Sequence, residues 1–227
     1  NFTHYRLNNW TYNTFENFHQ GSANDINLEL RIDRNSTDNP VYTRRGSDFS
    51  FSVSLTPPYS LFDKKDYSDP SLPIADRYRF IEYHKWKYSG KVFLPLMNPA
   101  TVKRTPVLMA RVEGGIINSY NKYKRSPFGT YYMGGDMMSG SFGNYMNETI
   151  GLRGYKNGSI AGANYDYAYS YMKASLELRY PLIFEQSTTV WVLGFAEAGN
   201  AWADISRYNP FDLKRSAGIG VRVMMPM

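Results

Sequence analysis

Ile26-Asn27-Leu28-Glu29-Leu30-Arg31-Ile32-Asp33 carries an aliphatic side chain at every even position and a polar or charged one at every odd position. An extended strand sends successive side chains to opposite faces, so this octapeptide has one apolar and one charged face. The same period recurs outward from it. Phe49-Ser50-Phe51-Ser52-Val53-Ser54-Leu55-Thr56 keeps its apolar set on odd numbers. His84 to Val92 sets Trp86, Tyr88 and Val92 against Lys85, Lys87 and Lys91. Leu108 to Glu113 follows more loosely, and Met172 to Tyr180 and Ala217 to Val223 follow cleanly. Val190 to Gly199 is irregular, because Trp191, Leu193 and Phe195 share parity with Glu197, which suggests a bulge. With a weaker opening strand over Phe2 to Trp10, the pattern predicts about eight strands and no helix.

Composition excludes several classes. The 227 residues contain no Cys, which removes disulfide scaffolds, thiolate zinc sites and cysteine nucleophiles. Hydrophobic residues make up 42% of the chain, too many for a disordered one. The longest apolar run, Val190 to Ala196, is far short of the roughly 18 residues of a membrane-spanning helix. A negative mean hydropathy then suggests a soluble protein. A transmembrane β-barrel gives the same average, since lipid-facing and lumen-facing residues alternate. No signal peptide is visible at Asn1-Phe2-Thr3-His4, and the apolar segment ending at Met227 has no polar tail, so both ends read as parts of a longer chain.

A soluble β-sandwich is the commoner home for alternating strands. Three features favour the barrel. The segments run about 9 to 15 residues, longer than most soluble strands and suited to a tilted membrane crossing. Polar faces carry opposite charges two apart, as in Glu29/Arg31/Asp33, Arg111/Glu113 and Glu177/Arg179, which suits an enclosed wet lumen. Aromatics gather near strand ends (Tyr78, Tyr83 and Trp86; Tyr155, Tyr165, Tyr167, Tyr169 and Tyr171), as interfacial girdles do. Connections after the third strand also alternate long and short: 57–81, 98–105, 123–164 and 186–188. The first two, 14–24 and 34–46, fit that scheme poorly.

Few residues point to catalysis. His4, His19 and His84 have no metal-pair spacing, and Gly218-Ile219-Gly220 precedes a strand where a dinucleotide loop precedes a helix. Ser139, Ser141 and Ser159 lie in Gly-rich sequence without a nearby His. The net charge of +6 is scattered apart from Arg44/Arg45 and Lys122/Lys124/Arg125, which fits lipid head groups at least as well as nucleic acid. The 123–164 loop stands out: it holds Gly134-Gly135-Asp136 and then Ile150-Gly151-Leu152-Arg153-Gly154-Tyr155, whose glycines suggest a tight tip presenting Arg153. A solvated loop arginine is the plain alternative.

Leu152-Arg153-Gly154-Tyr155 resembles the Val-Arg-Gly-Phe/Tyr tip of the sixth extracellular loop in the BamA family of outer-membrane assembly proteins, the bacterial surface antigens. Four more segments resemble that family in the same order. They are the turn from Pro40 to Ser47, the strand Ala174 to Pro181, the strand end Phe195 to Trp202, and Ser216 to Arg222 with Met225-Pro226. The turn, followed by Leu55-Thr56-Pro57-Pro58-Tyr59, is most similar to Bacteroidota members.

The resemblance implies an all-β, antiparallel transmembrane barrel segment, about eight strands (roughly the seventh to the fourteenth) of a sixteen-stranded barrel. Residues 1–227 would form one partial barrel domain, with the loop at 123–164 folded into the lumen. The remaining strands and the periplasmic POTRA domains would lie elsewhere; a self-closed eight-stranded barrel is the structural rival. Arg153 would meet Glu177 and Glu197 on the barrel wall, Glu197 standing where the family usually has Asp. The implied function is to fold and insert β-barrel proteins into the outer membrane of a Gram-negative bacterium. Partners would be nascent barrel proteins, accessory lipoproteins and outer-membrane lipids, with no cofactor, metal, nucleic acid or covalent chemistry. A passive channel, or the barrel anchor of a fused surface enzyme, is the alternative.

Overall fold

The computed structural model describes residues 1–10, 18–135, 147–160, 168–185 and 188–225. Asp136, Ser139, Ser141, Asn164, Tyr165, Tyr167, Gln186 and Pro226 lie outside them. The chain is a meander of antiparallel strands. β1 (Phe2–Leu7) pairs with β2 (Gly21–Ile26), and β3 (Leu28–Asn35) continues β2 after a break at Asn27. There follow β4 (Gly46–Leu55), β5 (His84–Pro95), β6 (Val107–Asn118), β9 (Ser170–Phe184), β10 (Thr189–Trp202) and β11 (Lys214–Met224). Short β7 (Tyr131–Met133) and β8 (Glu148–Ile150) lie between β6 and β9 and pair in parallel. The main sheet has the order β11-β10-β9-β6-β5-β4-β3. Among the described residues β11 and β3 are free edges, so the sheet is open and the self-closed barrel is not what forms.

With β2 and β3 as one interrupted strand, every expected strand is present. Each crossing is long because alternation persists, and its register aligns like faces. Leu30 stands beside Val53, Val53 beside Trp86, Trp86 beside Ile116, and Leu108 beside Leu178. On this face Leu28, Leu30, Ile32, Leu176, Leu178, Ile219 and Val221 are exposed, a continuous apolar surface that a soluble sandwich would have to bury. The opposite face carries Glu29, Lys85, Lys87, Lys91, Arg111, Glu113, Lys173, Glu177, Arg179, Glu197 and Arg222. Its i, i+2 charges pair along the strands: Arg31 with Asp33 at 2.7 Å, Arg179 with Glu177 at 2.7 Å, and Arg111 with Glu113.

The rims sort cleanly. Residues 8–20, 56–83, 119–169 and 203–213 connect strands at one end, and 36–45, 96–106 and 185–188 at the other. The two early connections that fit poorly as 14–24 and 34–46 therefore obey the same alternation, because their true bounds lie on opposite rims. The expectation of no helix needs a small correction. α1 (Tyr59–Phe62), α2 (Ile74–Arg77) and a 3-10 turn at Ile205–Arg207 decorate the long connections.

The aromatic girdle is a larger correction. Tyr78, Tyr83, Tyr169 and Tyr171 are buried with Phe18, Phe128, Tyr131, Met133 and Leu152 in one cluster, and Tyr155 packs against its edge. Lumen-side parity and inward-folding loops make these rings a core. Phe49, Trp86, Tyr88 and Tyr180 are aromatics that are exposed on the apolar face.

β10 shows why its alternation looked broken. A register shift falls between Val190 and Trp191, yet Trp191, Leu193 and Phe195 do share the polar face with Glu197. Trp191 and Leu193 are buried there under the 36–45 turn. Asn39 nucleates that turn, its Oδ1 accepting from the Val41 and Tyr42 N–H groups at 2.8 and 3.1 Å. Tyr42 then enters edge-on against Trp191, 5.6 Å between centroids, in a cluster with Phe93, Val107 and Met109. An apolar patch on the polar face is stable because this turn covers it.

Candidate functional site: a loop tip held on the barrel wall

The connection from β6 to β9 folds back across the polar face. Tyr131 and Ala168 exchange backbone hydrogen bonds at 2.8 and 2.7 Å, tying β7 to the segment that leads into β9. β7 packs on the wall at Gly199, where a Cβ would lie 2.6 Å from the flexible Met133 Cε. Parallel pairing of β7 with β8 then delivers the chain to Gly151, and Gly135 bridges Leu152, which is fully buried. The turn at Gly154 has φ +86°, a conformation that L side chains adopt only with strain. Gly154 thus supplies the backbone angle next to Arg153 at the tip.

Arg153 Nη2 donates to Glu177 Oε1 at 2.8 Å and to Glu197 Oε1 at 2.7 Å. Its backbone N–H donates to Glu197 Oε2 at 3.0 Å, so Glu197 holds both the side chain and the main chain of the tip. The guanidinium lies over the Phe195 ring, 3.6 Å from its centroid. Register explains the geometry: Ser175 faces Glu197 and Phe195 faces Glu177 across β9 and β10, which makes the two glutamates diagonal neighbours on one face.

Neither glutamate depends on Arg153 alone. Glu177 also accepts from Arg179 Nε at 2.8 Å and from Arg222 Nη2 at 3.3 Å. Glu197 also accepts from Ser175 Oγ at 3.2 Å and faces Lys173 Nζ at the same distance, while Lys173 donates to the Gly151 carbonyl at 2.5 Å. Both carboxylates are almost fully shielded, with 3% and 2% of the side chain exposed. Tyr155 completes the tip, its hydroxyl donating to the Arg215 carbonyl at 2.9 Å on β11. The tip Leu152-Arg153-Gly154-Tyr155 therefore spans three wall strands.

A second anchor was not among the expected residues. Glu148 of β8 sits 2.5 Å from Lys85 Nζ and 2.6 Å from Lys87 Nζ on β5, and Lys85 also donates to the Gly129 carbonyl at 2.6 Å. Burial alone would raise the Glu148 pKa, but the two lysines outweigh it and hold the carboxyl below its ordinary value. One signal for this pair existed in the sequence: Lys85 and Lys87 share a face. Register places Ser54 and Ile117, and Ser52 and Gly115, beside them, so the wall supplies no adjacent counter-ion.

A profile of the Omp85 superfamily domain matches residues 2–227. The chain belongs to the Omp85 superfamily. Its fold is that of a solved family barrel: BamA from Haemophilus ducreyi lacking POTRA domains 1–3 superposes with a TM-score of 0.60 at 20% sequence identity. That likeness covers 88% of this chain and 36% of the solved one, so the span corresponds to about a third of that chain's length. No match was found among curated proteins. Within the family the strands are transmembrane β-strands of an outer-membrane barrel.

Proposed function

We propose that this chain is the lumen-bearing part of a barrel that folds and inserts other β-barrel proteins into the outer membrane of a Gram-negative bacterium. The reading takes residues 1–227 as one partial barrel domain whose 123–164 loop lies in the lumen. Its partners are nascent barrel proteins, accessory subunits and outer-membrane lipids. Such work is non-covalent: a strand edge of the full barrel templates client strands by β-augmentation, and client folding supplies the free energy.

One observation carries the proposal. Arg153 bridges Glu177 and Glu197, clamping a loop tip across neighbouring wall strands. A planar guanidinium can satisfy two carboxylates directionally, which an ammonium does less well. The clamp holds the wall and loop in one shape while a client strand adds elsewhere. The test is Arg153→Ala in the full-length protein, reading client assembly into vesicles and thermal unfolding of the barrel. Both should fall. Wild-type levels of both would overturn the assignment.

A further inference from the structure

The 36–45 turn and the Arg153 tip reach the same stretch of wall from opposite rims. Trp191, Leu193 and Phe195 stand in one column on the polar face of β10, its ends about 13 Å apart at roughly 3.3 Å per residue. Tyr42 covers the Trp191 end, and Phe195 packs against the same cluster. Arg153 covers the Phe195 end, its guanidinium 3.6 Å from the ring centroid. A second line runs beside the column on β9. The Arg179 carbonyl accepts from the Tyr42 hydroxyl at 3.4 Å, and the Arg179 guanidinium lies 5.5 Å from the centroid of Phe93, a ring of the turn cluster. That same guanidinium donates to Glu177, which holds Arg153. Phe195 and Arg179 thus belong to both seats.

The turn is built to move as one piece. Asp38 Oδ1 accepts from the Arg44 and Arg45 N–H groups at 2.9 and 3.2 Å and, with Asn39, keeps the turn's shape without help from the wall. Gly46 closes its neck at φ +108°, where a Cβ would lie 2.2 Å from the Ser36 carbonyl oxygen. Docking leaves Tyr42 only 1% exposed, but it also seals in the Trp191 indole N–H, which has no hydrogen-bond partner among the described residues. An unpaired buried donor works against the docked position. The gain from burying Tyr42 is partly offset, which brings an undocked turn nearer in free energy.

We infer that the turn and the tip form one coupled device. When Tyr42 leaves Trp191, Phe195 and Arg179 lose packing on one side and the hold on Arg153 weakens; release of Arg153 weakens the seat of the turn in return. Contact made with the turn at one rim thereby reaches a loop that starts at the other. The coupling is a property of the wall and does not rest on the assembly role.

Hydrogen exchange of the full-length protein in detergent, without any client, tests it. Tyr42→Ala should speed exchange of the Arg153 and Tyr155 amides at least about five-fold, the lower end of couplings between distinct sites. The Leu28–Ile32 amides of β3, whose side chains belong to neither cluster, should not change. Asn39→Ala removes the acceptor of two turn N–H groups and leaves every wall residue in place. It should speed the tip amides as well, and it keeps the test valid should Tyr42→Ala fail to fold. Thermal midpoints supply a second readout: the Tyr42→Ala, Arg153→Ala double variant should lose less than the sum of the single losses, where independent sites would add. Tip exchange unchanged in both turn variants, a rise shared equally by β3, or additive midpoints overturns the coupling. Client assembly enters none of these measurements, so failure here leaves the assembly role standing.

Discussion

The long loop is held to the wall at two ionic anchors of opposite polarity. At one, a loop cation, Arg153, enters a nest of wall acids that are nearly solvent-free. At the other, a loop anion, Glu148, with 35% of its side chain exposed, meets two wall lysines, Lys87 at 37% and Lys85 at only 10% exposed. Charge pairing is common to both, so burial decides their consequence. An exposed pair exchanges protein contacts for water at little net gain, whereas a shielded one cannot lose a member without stranding a charge. The tip anchor, shielded at both carboxylates, should therefore hold the loop most strongly, and the Glu148 anchor should be a weaker second hold whose buried share rests on Lys85.

Glu197→Ala probes the difference hardest. It removes the acceptor of both the Arg153 side chain and its backbone N–H and leaves Lys173 without its carboxylate. We expect a loss of roughly 3–5 kcal/mol, read as a lower thermal midpoint of the folded barrel. An unchanged midpoint would show that Glu177 and the packing of Leu152 and Tyr155 suffice to hold the tip.

Arg153→Lys should cost less, about 1–2 kcal/mol, because an ammonium can still donate to a glutamate but loses the planar guanidinium face over Phe195. A double-mutant cycle with Glu177→Gln measures this. The coupling should be modest, since Arg179 and Arg222 still neutralise Glu177.

Glu148→Gln should cost about 1–2 kcal/mol, of which the share from exposed Lys87 is lost in high salt and the share from buried Lys85 is kept, whereas the Glu197 variant should be salt-insensitive. The pH dependence has a definite sign. With its folded pKa below the ordinary 4.5, Glu148 contributes stability that is present above about pH 4.5 and is lost as pH falls through the lowered folded value. Acid titration of the wild type against Glu148→Gln should show the two stabilities converging below that window. Convergence only at neutral pH would contradict the lysine pairing.

Much of the fold was legible in the sequence because a membrane crossing makes parity unambiguous. Leu176, Glu177, Leu178 and Arg179 announce their faces without reference to any other strand. The tip was legible too, since Gly154 and Arg153 form a local motif. The Glu148 anchor was not, because Lys85 is 63 residues away and nothing local marks Glu148 as its partner. The tyrosines misled for a related reason. A ring near a strand end suits an interfacial girdle and a loop-covered core equally, and only the packing of Phe128, Tyr131, Met133 and Leu152 over them puts Tyr169 and Tyr171 in the core. Trp191 and Leu193 likewise read as an irregularity until Tyr42, on a turn far away in sequence, is seen to cover them.

By itself, then, the sequence determined strand positions, which residues share a face, and the residue types of the loop tip. Each follows from backbone geometry over a few neighbouring residues. Tertiary structure alone decided strand register, which polar-face positions are covered by returning loops, and which charges meet. Those are contacts across long separations, such as the 44 residues between Arg153 and Glu197, where chain proximity carries no information and only packing brings the partners together.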